Sequence, residues 1–337
     1  MLLYIPQVSF AVPFVTEETE IAMGKNADPQ VIQLYGIYQD KKLQLYVNEI
    51  GQKLVDSLSD KIFPRFHFKL VDSPEINAFA LPGGYVYVTR GLLAALNSEA
   101  ELANVLGHEI AHVTLHHGAK MMVRNIAAQI LSIGGAIASP KNAGEWLLVS
   151  TAMFQQINMG YGRGAELEAD AQGMLTATKT GYNPKSMVNF LRNLRRHEIM
   201  SGLAYHSFQS SHPDTRDRIV KSDGLGESLL YRNPKVAEKR EEYLTRLQGM
   251  VFGGKRHSQD TKPYEPEYVQ IYQVQPGDTF QSIAENELGD ARKDLDISVL
   301  NGRKESSQPV PGELIKIIQK GVYKKNKSLR LQPEKNN

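Results

Sequence analysis

The stretch "VLGHEIAHVTLHHG", residues 105–118, decides which fold this sequence can adopt. It contains four of the nine histidines in the 337-residue chain, together with Glu109. His108 and His112 are four residues apart, so on a helix both imidazoles lie on one face and can bind one metal ion. Glu109 follows His108 and can act on a water that the metal activates, as in the HExxH pattern. We therefore predict one catalytic zinc ion per chain.

The other two histidines of this stretch are poorly placed to complete the same site. His116 is eight residues from His108, about 12 Å along a helix axis. It cannot join a tetrahedral site with His108 while the helix stays straight. We expect His116 and His117 to be solvated or to support the ligands, so the third ligand must come from another part of the chain.

A second acidic stretch, "GRGAELEADAQGM" at residues 162–174, offers that ligand. Glu166 and Asp170 are four residues apart and share one face of a predicted helix, whereas Glu168 points away. Glu166 could bind the metal, and Asp170 could accept a hydrogen bond from a ligand imidazole. Two histidines and one carboxylate would leave a position open for water, as in catalytic zinc sites. The alternative is an acidic helix that faces solvent.

The composition limits the other possibilities. The chain has no cysteine, which excludes thiol catalysis, disulfides and thiolate zinc sites. Hydrophobic residues make up 41% and the mean hydropathy is −0.36, as in ordinary globular proteins. The formal net charge of +2 gives no reason to expect a nucleic-acid partner. No stretch is a clean membrane span.

Periodicity predicts an α+β fold that is mainly helical. Apolar residues recur at helical spacing in "DKKLQLYVNEIGQKLVDSLSD", and Ser98 with Glu101 predicts a capping box that opens the histidine-bearing helix. "RFHFKLVDS" and "NAFALPGGYVYVTRG" alternate with period two and predict a strand followed by a hairpin around Pro82–Gly84. Further helices are predicted at about 121–137, 144–158, 164–180, 184–199, 213–221 and 234–249.

The chain divides into segments of different composition. The apolar start, with small residues at Ser9 and Ala11, indicates the remnant of an export signal whose beginning lies upstream. The alternative is a buried N-terminal strand. We predict the export-signal remnant at 1–16, a zinc peptidase domain at 17–253, a polar linker at 254–267, a small strand–helix–helix–strand domain at 268–319 and a basic tail at 320–337.

At this point the sequence resembles a known family. "LGHEIAHVTLHHG", "AELEAD" and "NAFALPGGYVYVTRGLL" together resemble the HtpX and CAAX-prenyl-protease superfamily of zinc metallopeptidases, and in particular its soluble periplasmic BepA-like branch. The resemblance covers roughly residues 17–253. It implies a gluzincin fold with His108, His112 and Glu166 as zinc ligands, Glu109 as general base, and Asp170 as partner of a ligand.

The last part of the chain resembles a different module. "YQVQPGDTFQSIAENELG" and "VPGELIKII" are similar to a LysM module, with a longer stretch between its helices than usual. LysM modules bind glycans that contain N-acetylglucosamine, so the resemblance implies peptidoglycan as a partner. The alternative is a packing module that has lost glycan binding.

Four more residues are candidates for the site. In "SSHPDTRDRI", His212 and Arg216 flank the start of a predicted helix, and either could stabilise the developing oxyanion. His212 could instead occupy the open zinc position and keep the enzyme latent, or simply cap the helix. Asn77 and Ala78 would line the cleft if their strand accepts an extended substrate by backbone hydrogen bonds. Structural pairing within the sheet is the alternative for this strand.

These observations predict a zinc metalloendopeptidase of the periplasm or cell envelope. It would hydrolyse peptide bonds of misfolded or unassembled exported proteins, with outer-membrane assembly machinery as a possible partner. Two other functions stay open: a chaperone or assembly scaffold with a latent zinc site, and a peptidoglycan-binding envelope protein. Cleavage of casein or of peptidoglycan would distinguish them.

Overall fold

A computed structural model describes residues 16–59, 63–122, 160–201, 208, 211–212, 215–254, 265–304 and 307–324. The predicted helices at 121–137 and 144–158, the N-terminal segment and the basic tail lie wholly or almost wholly outside these residues. The helices are α1 (Glu17–Tyr35), α2 (Lys41–Asp56), α3 (Arg90–Ala95), α4 (Glu99–Thr114), α5 (Arg163–Lys179), α6 (Lys185–Ser201), α7 (Thr215–Arg232), α8 (Arg240–Arg246), α9 (Phe280–Leu288) and α10 (Asp294–Leu300), and the strands are β1 (His67–Val71), β2 (Ala78–Leu81), β3 (Tyr85–Thr89), β4 (Val251–Phe252), β5 (Glu267–Gln273) and β6 (Leu314–Lys320).

The predicted α+β class is confirmed, because helices dominate and two small sheets accompany them. Helix α2 begins where the side chain of Asp40 accepts hydrogen bonds from the backbone N–H groups of Lys42 and Leu43. Leu43, Val47, Ile50 and Leu54 are buried in the core at the predicted helical spacing, whereas Leu45 is exposed. Among the described residues, no helix combines the length and the apolar character needed to span a membrane.

The first sheet has the order β1-β3-β2. The hairpin predicted around Pro82–Gly84 is confirmed by the antiparallel pairing of β2 with β3, while β1 pairs in parallel with β3. Gly83 and Gly84 have positive φ angles, and a side chain at either position would collide with backbone of a neighbouring segment. In this sheet β2 is an edge strand, yet all four of its residues are buried.

Helix α4 lies in the centre of the domain, with its first fifteen residues buried. The predicted capping box is only half present. The Ser98 hydroxyl accepts a hydrogen bond from the Glu101 N–H at 3.1 Å, but the Glu101 carboxylate accepts from the Asn97 N–H at 2.6 Å and not from Ser98. The Glu101 carboxylate thus accepts from the backbone N–H one residue earlier than the motif predicts.

Two predicted helix bounds were wrong. The helix predicted at 213–221 continues to Arg232 as α7, because Gly224 and Gly226 are accommodated in its interior. The helix predicted at 234–249 is shorter and covers only Arg240–Arg246, because residues 233–239 contain Pro234 and run in extended and turn conformations.

The C-terminal module has the predicted order of strand, helix, helix and strand, β5-α9-α10-β6. Strands β5 and β6 pair antiparallel, and β4 from the preceding domain adds a third strand to the same sheet. The identity of this module as LysM and the domain bounds given above remain predictions. The shared sheet shows that the two parts are structurally joined.

One buried lysine docks the module onto the larger domain. The Lys316 ammonium donates hydrogen bonds to the carbonyls of Ala94 and Leu96, at 2.6 and 2.7 Å, where helix α3 ends. The C-terminal end of a helix carries partial negative charge and unpaired carbonyls, which a cation stabilises. The Arg196 guanidinium adds a hydrogen bond to the Gly302 carbonyl at 3.1 Å.

Candidate metal centre

Helix α4 presents His108 and His112 to one point, as the four-residue spacing predicts. Both imidazoles are buried, and their Nε2 atoms are 3.0 Å apart. Two ring nitrogens at this distance cannot both carry a proton toward each other. The two Nε2 atoms face one point between the two rings and helix α5, where a single ion could contact both.

Helix α5 brings the third member, Glu166. Its carboxylate oxygens lie 3.4 Å from the Nε2 atom of His112 and 3.5 Å from that of His108. The two helices approach closely because Gly107 and Gly173 meet: a Cβ on Gly173 would lie 2.6 Å from the backbone nitrogen of His108. Close backbone contact at this crossing is what allows the carboxylate to reach the imidazoles.

Asp170, one turn beyond Glu166, fixes the orientation of His108. Its Oδ1 atom is 2.8 Å from the Nδ1 atom of His108, so this nitrogen donates and Nε2 is left with its lone pair toward the cluster. Arg218 on α7 donates two 2.7 Å hydrogen bonds to the Asp170 carboxylate and lies 3.0 Å from Glu166. Burial alone would raise the pKa of Asp170, but the Arg218 guanidinium and the contact with His108 lower this pKa to about 2.

His112 has its own supporting residues. The Nδ1 atom of His117 lies 2.9 Å from the Nδ1 atom of His112, and the other ring nitrogen of His117 is 3.4 Å from Glu168. The Tyr161 ring stacks on the imidazole of His112 with 4.1 Å between ring centres. Burial lowers the pKa of His112 well below its ordinary value, so the neutral form that binds metals is favoured.

His212 is a fourth member of the cluster. Its Nδ1 atom is 3.2 Å from the Nε2 atom of His108 and 3.1 Å from a Glu166 oxygen. On the other side of the ring, Nε2 is 3.3 Å from the carbonyl oxygen of Ala78. One ligand atom from each of His108, His112, Glu166 and His212 lies within 4.8 Å of the other three, a spacing that one metal ion can bridge.

The surroundings of Glu109 indicate that the cluster is a ligand-binding site. Both of its carboxylate oxygens are buried and have no hydrogen-bond partner among the residues that the structure describes. Burial raises the pKa of this carboxyl group. A buried carboxylate without a partner is strongly unfavourable. A water held beside the two imidazoles would supply the missing donor, so these residues fit a zinc ion with an open position.

A search against family models matches residues 41–225 to peptidase family M48. The match includes every member of the cluster and more than half of the chain. The chain belongs to peptidase family M48. This membership confirms the resemblance found in the sequence, and M48 peptidases are zinc-dependent.

Curated relatives of this M48 chain agree with the family. The beta-barrel assembly-enhancing protease of Yersinia pestis is 35% identical over 184 residues, 52% of this chain and 38% of the relative. The protein of that name from Escherichia coli K12 is 29% identical over 292 residues, 82% and 58% of the two chains. The mitochondrial metalloendopeptidase OMA1 of Arabidopsis thaliana is 31% identical over 165 residues, 48% and 32%. The chain therefore spans about two to three fifths of the length of these two beta-barrel assembly-enhancing proteases.

The structure brings most of the predicted site residues of this M48 chain together. Ala78 reaches the cluster through its carbonyl oxygen, and the side chain of Asn77 accepts a hydrogen bond from the Ser211 hydroxyl at 3.1 Å. Arg216 is not brought to the cluster, because its side chain is exposed on the first turn of α7. His116 pairs instead with the buried Glu20 of α1, at 2.6 Å.

Two residues of the M48 site, Arg218 and Tyr161, were not found from the sequence, and the partner of a third, His117, was not named. Arg218 lies two residues beyond Arg216, and the helical period of α7 puts the later arginine on the buried face. His117 was expected only as a solvated or supporting residue, without a partner being named. Tyr161 precedes α5 and carries no motif, so only the folded chain reveals its contact with His112.

Proposed function

We propose that this chain is a zinc metalloendopeptidase that hydrolyses peptide bonds of unfolded or unassembled proteins in the cell envelope. The observation that carries the proposal is the buried, unpartnered carboxylate of Glu109 beside the His108, His112 and Glu166 group. This arrangement has the ligands of a catalytic zinc site and a carboxylate free to accept a proton.

Each residue of the site would have a separate role in the proposed reaction. When bound to His108, His112 and Glu166, zinc would polarise the substrate carbonyl and lower the pKa of a water molecule. Glu109 would accept a proton as the water oxygen bonds to the carbonyl carbon, and would return this proton to the leaving amine as the C–N bond breaks. Asp170 would hold His108 in the tautomer that offers Nε2 to the metal.

His212 would keep the resting site closed. Its imidazole touches the ligands on one side and the Ala78 carbonyl of edge strand β2 on the other. A substrate strand that pairs with β2 would need this carbonyl and would displace His212 from both contacts. Once displaced, the imidazole would be near enough to donate a hydrogen bond to the oxyanion. Asn77 and Ala78 would then line the substrate cleft.

The envelope location and the class of substrate are supported by the relatives' names. Two relatives are called beta-barrel assembly-enhancing proteases and one is a mitochondrial metalloendopeptidase. We propose misfolded or unassembled exported proteins as substrates, the periplasm as the compartment, and outer-membrane assembly machinery as a partner. An immunoprecipitation from envelope extract should recover such machinery with the catalytically impaired variant Glu109→Gln.

The proposal also includes binding of peptidoglycan by the C-terminal module. Sedimentation with purified peptidoglycan tests it directly. The full chain should sediment with the sacculi if the module binds glycan. If the chain stays in the supernatant, the module serves packing alone.

The deciding experiment compares casein degradation by the zinc-loaded wild type, Glu109→Gln and His212→Ala. We expect cleavage by the wild type and a rate about 10²–10⁴ lower for Glu109→Gln. His212→Ala should lower KM, because the resting site is no longer closed, and should also lower kcat, because the donor to the oxyanion is lost. Equal rates for the wild type and Glu109→Gln would exclude Glu109 as the base. No cleavage by any zinc-loaded protein would instead support the scaffold function.

A further inference from the structure

A second cavity, separate from the metal cluster, lies between the peptidase domain and the C-terminal module. Its volume is about 640 Å³. Asn97 and Ser98, just before α4, form part of its wall, and helices α6 and α8 and the loop after α10 form the rest. Five cationic side chains line it: Arg192, Arg196, Arg240, Arg303 and Lys304.

The two acidic residues in the wall do not neutralise these cations by direct contact. The Glu238 carboxylate accepts 2.7 Å hydrogen bonds from Asn183 and Ser186. The Glu101 carboxylate accepts from the Asn97 backbone at 2.6 Å. Both acids are therefore engaged in holding the local fold.

Three of the five cations have no ion pair among the described residues. Arg192 lies 3.2 Å from Asp223, and Arg303 pairs with Glu313. The other three form no such pair with any residue that the structure describes: Arg196, Arg240 and Lys304. Cations gathered in one concave site raise the local concentration of anions.

Two buried atoms in the cavity wall lack hydrogen-bond partners within the described parts of the chain. They are the Nη2 atom of Arg240 and the Oδ1 atom of Asn97. Asn97 is only 3% exposed, and its backbone carbonyl accepts a hydrogen bond from the other terminal nitrogen of Arg240 at 3.0 Å. The wall of the cavity therefore contains one guanidinium N–H group and one amide oxygen whose hydrogen-bonding capacity the described residues leave unused.

We propose that this cavity binds an anionic ligand that carries a phosphate or carboxylate group. Arg240 donates to the oxyanion from the peptidase side, while Arg303 and Lys304 approach it from the C-terminal module. The planar guanidinium matches the paired oxygens of both anions. Asn97 accepts from a hydroxyl or amide N–H group of the same ligand. The bound ligand bridges the two parts of the chain.

Isothermal titration of the full chain with inorganic phosphate and with succinate tests this site. Ionic strength is held constant with sodium chloride, so that nonspecific screening is equal in every titration. We expect the wild type to bind at least one of the two probes saturably, with Kd below about 1 mM. The probe that binds more tightly identifies whether phosphate or carboxylate is the recognised group.

The variants locate the binding. Arg240→Gln should weaken it about tenfold, the loss expected for one charge-assisted hydrogen bond. Lys304→Gln should weaken it about threefold, because the Lys304 side chain is exposed and contributes mainly through its charge. Arg232→Gln, at the exposed end of α7, is the matched control and should bind like the wild type.

Two results would overturn the proposal. One is the absence of saturable binding of both probes by the wild type. The other is wild-type affinity in both Arg240→Gln and Lys304→Gln, which would also be the result if the probes bound at the metal cluster. Melting temperatures without ligand show whether each variant folds. If Arg240→Gln does not fold, Lys304→Gln still tests the proposal, because the Lys304 side chain is exposed and its substitution should not disturb folding.

Discussion

Two of the three buried glutamates of helix α4 have different surroundings. Glu101, in its first turn, accepts a 2.6 Å hydrogen bond from the Asn97 N–H. Glu109, two turns further on, has no hydrogen-bond partner among the described residues, although the Nε2 atom of His212 lies 3.5 Å from one of its oxygens. Burial raises the pKa of both carboxyl groups, that of Glu101 to about 7. A buried carboxylate bonded to backbone stabilises a local conformation, and one left unpaired marks a place where a ligand belongs.

The two regions also differ in how their charges are compensated. Around Glu109, Arg218 and Asp170 form an ion pair that orients a metal-binding imidazole. Around Glu101, the Lys316 ammonium is held by backbone carbonyls at the end of α3. The first arrangement supports the proposed metal site and the second joins the C-terminal module to the larger domain, although the side chains of both are buried.

The largest effect should come from removing a metal ligand. Glu166→Gln should lower zinc affinity and casein cleavage at least about 100-fold, because a neutral amide is a poor zinc ligand. The matched control is Glu242→Gln on α8, whose side chain is exposed and distant from the cluster in sequence, and it should keep both. Competition with a chromogenic chelator measures the affinity. Equal affinities of the two variants would contradict the assignment of Glu166.

Arg218→Met should destabilise the metal-free protein by about 3–5 kcal/mol, because it leaves Asp170 and Glu166 buried without their cation. The exposed Arg216 is the control, and Arg216→Met should change the free energy of unfolding by less than about 0.5 kcal/mol. Urea unfolding at neutral pH measures both. A larger loss in Arg216→Met would show that the earlier arginine holds the cluster.

Gly173→Ala should lower the free energy of unfolding by about 1–3 kcal/mol. The added methyl group would lie 2.6 Å from the backbone nitrogen of His108 and would push α4 and α5 apart. Zinc affinity should fall with it. Gly164→Ala, in the same helix with nothing within 4 Å of the added carbon, should instead be slightly stabilising. Thermal unfolding and the chelator titration together distinguish a helix separation from a general loss of stability.

The last effect is a pH dependence at the docking region, which should leave the proposed reaction unchanged. The folded-state pKa of Glu101 is above the unfolded value, so folded protein keeps this proton between about pH 4.5 and 7 while unfolded protein releases it. Wild-type stability should therefore fall relative to Glu101→Gln as pH rises through this window, by at most about 3 kcal/mol. Casein cleavage by Glu101→Gln should stay near the wild-type rate. A constant stability difference from pH 4.5 to 8 would contradict the raised pKa.

Local patterns in the sequence predicted much of this molecule. The four-residue spacings of His108 with His112 and of Glu166 with Asp170 are properties of a helix, so they could be found without knowing the fold. The hairpin around Pro82–Gly84 follows in the same way from turn residues and alternation. The family membership is now shown, while the role of each site residue remains a prediction to be tested by the variants above.

The contacts that could not be predicted join residues distant in sequence. Arg218 meets Asp170 across 48 positions, and Lys316 reaches Ala94 across 222. The helical period puts Arg216 and Arg218 on different faces of α7, but only the packing of this helix shows which face is buried. The approach of Gly107 to Gly173 is equally hidden, because a glycine within a helix has many possible causes.

The short strand β4 affects how the chain behaves when it is cut. Val251 and Phe252 pair with Tyr268 and Glu267, so the peptidase domain contributes a strand to the sheet of the C-terminal module. A protease that cleaves between β4 and β5 would leave both halves of this sheet paired and Lys316 still in place. The two fragments should therefore elute together in gel filtration and separate only in denaturant, as one cooperative unit with a broken backbone.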